Sequence, residues 1–154
     1  GVMFYKKGDI NKSIEYIDNA IELEEDVLQK ADYSYTAAQI LFADKKYSRA
    51  KQYARKSIEF NGEKGAPYIL IAQMYAASPN WSDEPALNKC TYFAVIDKLQ
   101  KAKSVDPSVT EQANELIGTY SRYTPKDEDL FFIGIKKGQA VNIGGWIGET
   151  TTVR

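Results

Sequence analysis

The sequence predicts an all-α fold of stacked helix-turn-helix units with a short β tail. Two similar phrases support this prediction, "KGDINKSIEYIDNAIELEED" at residues 7–26 and "KKYSRAKQYARKSIEFNG" at residues 45–62. Each has a polar turn followed by apolar residues at the spacing of one helix face. Ser13 of the first phrase aligns with Ala50 of the second, 37 positions later. A period in the thirties is typical of stacked helical hairpins.

Composition limits the kinds of protein that this chain can be. Its 154 residues, 44% hydrophobic and 27% charged, are enough for one folded unit without disulfides. A net charge of −1 creates no global field that would attract a polyanion, so we expect no nucleic-acid partner. No apolar run reaches the length of a membrane-spanning helix, so we expect no membrane insertion.

The residue types also argue against catalysis. The chain has no histidine, which removes the commonest general base and the commonest zinc ligand. Cys90 is the only cysteine, and without an imidazole partner it is expected to be a small buried side chain rather than a nucleophile. We therefore expect no catalytic residue, no metal site and no cofactor, and hence no enzyme.

Three units follow one another along residues 1–107. The first, "VMFYKKGDINKS" and onward, starts within its first helix and is therefore truncated. The second begins its first helix before "AAQILFADKKYSRA", and the third begins at "GAPYILIAQMYAA". In the third unit an insertion near residues 78–88 delays the second helix, and Pro107 closes the unit.

The units resemble the tetratricopeptide repeat (TPR) family, a 34-residue helix-turn-helix with small residues where the two helices cross. The positions that match the family pattern are Tyr68, Ile71, Ala72 and Tyr75 on a first helix, Ala20, Ala50 and Ala102 on second helices, Gly8 and Pro107. Departures include Ser34 at an aromatic position and Ser13, Ser57 and Val95 at alanine positions. The resemblance implies a right-handed stack of three repeats.

Two further segments complete the predicted organisation. Residues 108–124 are expected to form a capping helix, with Ser108 and Glu111 as a capping box. Residues 125–154 are expected to form a β tail, in which "DLFFIGI" and "AVNIGGWIGETTTVR" are strands joined by a turn at residues 136–139. The apolar residues of the tail are expected to dock on the helices, namely Phe131, Phe132, Ile133, Trp146 and Ile147.

The resemblance implies a function as well as a fold. In the TPR family the first helix of each unit lines a concave groove that holds a peptide, and here the matching positions are Tyr5, Tyr35, Gln39, Phe42, Ile69 and Gln73. We therefore expect a non-catalytic protein-interaction module or scaffold that binds a protein or peptide. The carboxylate clamp of chaperone-binding members is not expected, because Thr36, Ala66 and Leu70 stand at its positions. The aromatic groove residues have an alternative explanation, because aromatic residues at helical spacing are also typical of a hydrophobic core.

The tail offers an alternative function. Its strands could pair with a β-edge of another chain, which would make the protein an assembly subunit. Trp81 in the insertion and Trp146 in the tail are candidate partner contacts outside the groove, although both are also explained as packing residues. Gly144, Gly145 and Gly148 are expected to serve turns rather than a phosphate loop, because no helix follows them.

The remaining expectations concern charge and cellular location. The basic residues of the second unit are expected to form a solvated face, namely Lys45, Lys46, Arg49, Lys51, Arg55 and Lys56. Short β tails after helical repeats resemble those of bacterial cell-envelope TPR proteins, mostly of unknown function. The resemblance implies an envelope or periplasmic location. We expect the chain to be a fragment without its targeting signal, and its partner and oligomeric state stay open.

Overall fold

The structure, a computed structural model, describes residues 7–154. Most of these residues are helical, and the chain ends in one small antiparallel sheet, which confirms the all-α class and the small β element of the tail. The elements are α1 (Lys7–Leu23), α2 (Val27–Ala43), α3 (Tyr47–Phe60), α4 (Ala66–Ala77), α5 (Pro85–Val105), α6 (Thr110–Tyr120), α7 (Asp127–Phe132), β1 (Ala140–Ile143) and β2 (Glu149–Thr152). Short 3₁₀ turns at Pro107–Val109 and Ser121–Tyr123 flank α6.

Helices α2 and α3 form a tightly packed hairpin. Only three residues join them, and the middle one, Lys45, takes a left-handed conformation with φ 60°. Asp26 begins α2, since its side chain accepts a hydrogen bond from the Leu28 amide at 2.9 Å. A connection this short places consecutive helices side by side.

Small residues allow the helices of this hairpin to approach closely. Ala37 and Ala38 on α2 and Ala50 and Ala54 on α3 are all fully buried. Ser57, further along the same stripe, donates from Oγ to the carbonyl of Ala31 at 2.8 Å. A buried hydroxyl is tolerated because its donor is satisfied, and it adds a direct link between the two helices.

Helices α4, α5 and α6 continue the helical layer. Val95, Leu99 and Ala102 of α5 are fully buried in the core. Asp106, after α5, accepts from the Gly65 amide at 2.9 Å and from the Ser108 amide at 3.0 Å. The capping box predicted at Ser108 is therefore wrong: α6 has no side-chain cap, and Asp106 organises the turn before it. This carboxylate also fixes the start of α4 to the end of α5.

The predicted position of the hairpin is wrong, although a hairpin exists. The sequence predicts a strand over residues 129–135, but residues 129–132 belong to α7, and the hairpin turn is at 144–148 rather than 136–139. Three acidic residues in the first turn of α7 favour a helix N-terminus electrostatically. In the observed register Val141 pairs with Thr151 and Ile143 with Glu149.

The β tail closes the hydrophobic core. Val141, Ile143, Ile147 and Val153 are buried in the same cluster as the helical core residues. Trp146 and Ile133 pack partly buried against it, as expected. Phe131 and Phe132 are instead 75% and 85% exposed, so their predicted docking is wrong.

Trp81 packs against the turn that joins β1 and β2. A Cβ added to Gly144 would lie 2.8 Å from Trp81 Cε3. We expect Gly144→Ala to lower the free energy of unfolding by about 1–3 kcal/mol, because an added methyl group overpacks this contact. Urea unfolding monitored by circular dichroism measures this change.

Gly62→Ala is the matched control, because its nearest neighbour would be the Ile58 carbonyl oxygen at an ordinary 3.6 Å. Its effect should stay within about 0.5 kcal/mol. In a Trp81→Leu background the cost of Gly144→Ala should be smaller than in the native chain if the indole causes it. Equal losses for the two glycine variants would contradict this account of the contact.

Candidate functional site

The predicted groove residues lie on α2 and α4, two helices that contact each other. Gln39 is exposed, whereas Tyr35 and Phe42 on α2 and Gln73 on α4 are half-buried. Ile69 is only 4% exposed and belongs to the core, so the expectation that it contacts a partner is corrected. Tyr5 lies outside the described residues.

Tyr35 and Gln39 stand one helical turn apart on α2. Burial raises the pKa of the Tyr35 hydroxyl, and the neighbouring Gln39 side chain works in the opposite direction. The phenol is therefore neutral at physiological pH and can donate or accept a hydrogen bond. Together the two side chains give this part of α2 a polar, uncharged surface.

A row of aromatic rings connects Phe42 to the β tail. The centroid of the Phe42 ring lies 5.8 Å from that of the Tyr47 ring. The Tyr47 ring in turn stacks on the Trp146 ring, with their centroids also 5.8 Å apart. Trp146 also lies 5.4 Å from Tyr75, and its Nε1 donates to Ser78 Oγ at 3.3 Å. Trp146 thus packs the tail onto α3 and α4, as the packing alternative for this residue predicted.

Trp81 is held by the insertion and by α5. Its Nε1 donates to Thr91 Oγ1 at 3.1 Å, and its backbone amide donates to Asn88 Oδ1 at 3.0 Å. Thr91 in turn donates to the carbonyl of Pro79 at 2.9 Å. The tryptophan fixes this segment to the helical layer, which again agrees with the packing alternative.

Lys51 forms the most deeply buried polar contact between the helices and the tail. Its Nζ donates to the carbonyl oxygen of Ile147 at 2.7 Å and lies 5.1 Å from the centroid of the Tyr75 ring. The residue is only 8% exposed, so the expectation that it belongs to a solvated face is wrong. Burial lowers the pKa of Lys51, while the charge of Glu149 opposes that shift. Its position next to the buried Ala50 and Ala54 was the signal available in the sequence.

Glu149 continues this polar contact toward α5. Its Oε1 accepts from Lys98 Nζ at 2.7 Å. Its Oε2 and the Tyr75 hydroxyl are both buried, and among the described residues neither has a partner at full hydrogen-bond geometry. Burial strongly raises the pKa of Tyr75, and the nearby Glu149 carboxylate raises it further. The phenol therefore stays protonated and faces the carboxylate as a donor.

The end of β2 is secured to α5 by further polar groups. Thr151 Oγ1 donates to Asp97 Oδ2 at 2.7 Å, and Arg154 forms an ion pair with the same carboxylate. The Arg154 guanidinium also lies over the Phe93 ring, 5.6 Å from its centroid. The tail is thus anchored along its length by polar contacts around an apolar centre.

Metal ligation, thiol reactivity and membrane crossing can each be examined in the described residues. Within residues 7–154, no three His, Cys, Asp or Glu side chains converge as a metal site would require. Burial raises the pKa of the Cys90 thiol to about 11, so it is protonated at neutral pH. No helix in the described part of the chain has the length and apolar character needed to cross a membrane.

Comparison with models of known protein families gives no match, and comparison with curated proteins gives none either.

We expect the Glu149 carboxylate to make the stability of the folded chain depend on pH. Burial opposes its ionisation, but the hydrogen bond from Lys98, the nearby Tyr75 hydroxyl and the charges of Lys98 and Lys51 outweigh burial and lower its pKa below the usual value of 4.5. The stabilisation from this depressed pKa is present above about pH 4.5 and is lost as pH falls through the folded-state value. We expect Glu149→Gln to be less stable than the native chain at pH 6, with the difference shrinking toward pH 3.

Urea unfolding at several pH values between 3 and 6 tests this prediction. Glu63→Gln is a suitable control, because Glu63 is exposed in the loop between α3 and α4. The free energy of unfolding of Glu63→Gln should stay close to that of the native chain at every pH. A Glu149→Gln difference that is independent of pH would show that the carboxylate charge does not contribute to docking of the tail.

Proposed function

We propose that the chain is a TPR-like array of helical hairpins that acts as a non-catalytic protein-interaction module or scaffold. The pairing of α2 with α3 and of α4 with α5 supports the array, as does the buried alanine stripe between α2 and α3. The packing of α6 on α5 supports its role as a cap. On this proposal α2 and α4 are first helices and form the binding face.

The observation that carries the proposal is the surface of α2. Tyr35, Gln39 and Phe42 succeed one another at intervals of four and three residues, so they share one helix face. The half-buried rings offer apolar contact that is already ordered, and the exposed Gln39 amide can pair with a peptide backbone. Gln73 on α4 adds a second amide. This surface suits an extended or helical protein segment without a strong charge.

The folded tail leaves this surface open. Its polar anchors are Lys51 on α3, Asp97 and Lys98 on α5, and Ser78 at the end of α4. Gln39 remains exposed although the tail is docked. Trp146 supports the end of the face indirectly, through Tyr47 and Phe42. We therefore propose that the tail is a structural support of the interaction module.

The alternative, an assembly subunit whose tail pairs with another chain, stays a prediction. β1 and β2 are hydrogen-bonded to each other, and the buried face of the hairpin is filled by core contacts. Pairing with a second chain would have to use the outer edge of one strand.

The experiment uses isosteric changes on the proposed face. Gln39→Glu combined with Gln73→Glu replaces two neutral amides by carboxylates of the same shape. We expect it to weaken capture of a protein partner from native extract at least ten-fold, because the donors are lost and a peptide carbonyl would face a negative charge. Quantitative mass spectrometry of the captured proteins measures the change.

Gln52→Glu combined with Gln100→Glu is the matched control, since both residues are exposed on α3 and α5. It makes the same change in net charge away from α2 and α4. Circular dichroism must show the same helix content for both double variants. If both captured the same partner equally well, the α2–α4 face would be excluded as the binding surface.

A further inference from the structure

A basic pocket lies on another part of the molecule, between α3, α4 and α5. Its volume is about 390 Å³, and its charged lining residues are Lys51, Arg55, Glu59, Lys98 and Lys101. On α3, residues 51, 55 and 59 recur every four positions and so share one helix face. On α5, residues 98 and 101 are one turn apart. Two helix faces therefore direct four cations toward one cavity.

The cations of this pocket are only partly neutralised. Lys98 pairs with Glu149, and Lys51 donates to the uncharged carbonyl of Ile147. Within residues 7–154, neither Arg55 nor Lys101 has a carboxylate at salt-bridge distance. Counting Glu59 and Glu149 against the four cations leaves two positive charges. The pocket is electropositive in a chain whose net charge is −1.

Two of the four cations are also held in place. Lys51 is buried and fixed by its bond to the tail, and Lys98 is fixed by Glu149 at 2.7 Å. The charges of Arg55 and Lys98 both help to lower the pKa of Lys51, after the larger effect of burial. Like charges that are held close together repel one another, so an anion that enters between them lowers their electrostatic energy.

We propose that this pocket binds a dianionic phosphate group, either free or carried as an ester. A phosphate monoester has a charge of about −1.5 to −2 at pH 7, which matches the two uncompensated charges. Its three oxygens can accept from the Arg55 guanidinium and from the lysine ammonium groups, and arginine suits phosphate geometry well. A single carboxylate would leave one positive charge unneutralised.

The pocket also has an apolar wall, formed by Ile58, Tyr68 and Ile71. This wall can contact the carbon part of an ester, whereas free phosphate would use the cations alone. The site does not depend on the proposed interaction face, because its charged groups belong to α3 and α5. Failure of one proposal leaves the other intact.

The test is isothermal titration of the intact chain with inorganic phosphate and with phenyl phosphate, in low-salt buffer without other multivalent anions. We expect Arg55→Gln and Lys101→Gln each to weaken binding about ten-fold, since each removes a charge-assisted hydrogen bond. Glu59→Gln should strengthen binding, because it removes a negative charge from the lining. Both cations are exposed, so their replacement should leave the fold intact.

Lys56→Gln is the matched control. Lys56 lies on the same helix and its loss changes the net charge equally, but its Nζ lies over the Tyr53 ring, 5.0 Å from the centroid. It should change affinity by less than about two-fold. Tighter binding of phenyl phosphate would identify an ester as the ligand, and tighter or equal binding of inorganic phosphate would identify the free anion. The proposal is overturned if the native chain binds neither, or if Lys56→Gln weakens binding as much as Arg55→Gln.

Discussion

The buried hydrogen bond from Lys51 to the Ile147 carbonyl joins the helical and β parts of the molecule. A carbonyl in the turn of a hairpin would lose its water on docking, and leaving it unpaired costs about 1–3 kcal/mol. Lys51 supplies the missing donor at 2.7 Å from α3. The tail can therefore bury Ile147 beside this polar group and close the core. Without such a donor the turn would be driven toward solvent and would take its apolar residues with it.

Tail docking and the basic pocket depend on the same side chains. Lys51 and Lys98 each line the pocket and each bind the tail, through Ile147 and Glu149. Because these anchors hold both ammonium groups, most of the entropy needed to order them is lost during folding rather than on ligand binding. Glu149 stabilises the docked tail but reduces the positive charge of the pocket, since it neutralises one of the four cations.

The sequence predicted contacts within hairpins better than contacts between distant segments. Helical spacing and the small residues Ala50, Ala54 and Ser57 identified the α2–α3 hairpin, because those signals are local. The segment 129–135 was misassigned as a strand because a short apolar run fits a helix or a strand equally well, and here the acidic first turn of α7 favours the helix. The partner of Lys51 could not be predicted, since Ile147 is 96 residues away in the chain. The pocket was missed for the same reason, as it joins Arg55 of α3 to Lys101 of α5.

The helical geometry of α3 nevertheless explains where the pocket lies. Residues 50, 54 and 57 face α2 through the buried stripe, and Ser57 bonds to α2 directly. Each step along an α-helix turns the side chain by about 100°, so residues 51, 55 and 58 lie about 70° to 130° around the helix from the centre of that stripe. The α4 and α5 helices stand on that side, where Lys51, Arg55 and Ile58 line the cavity. A stripe of small residues that packs α3 against one neighbour therefore also directs its cations toward the other two. Close packing of the hairpin and the basic pocket are two consequences of one helical register.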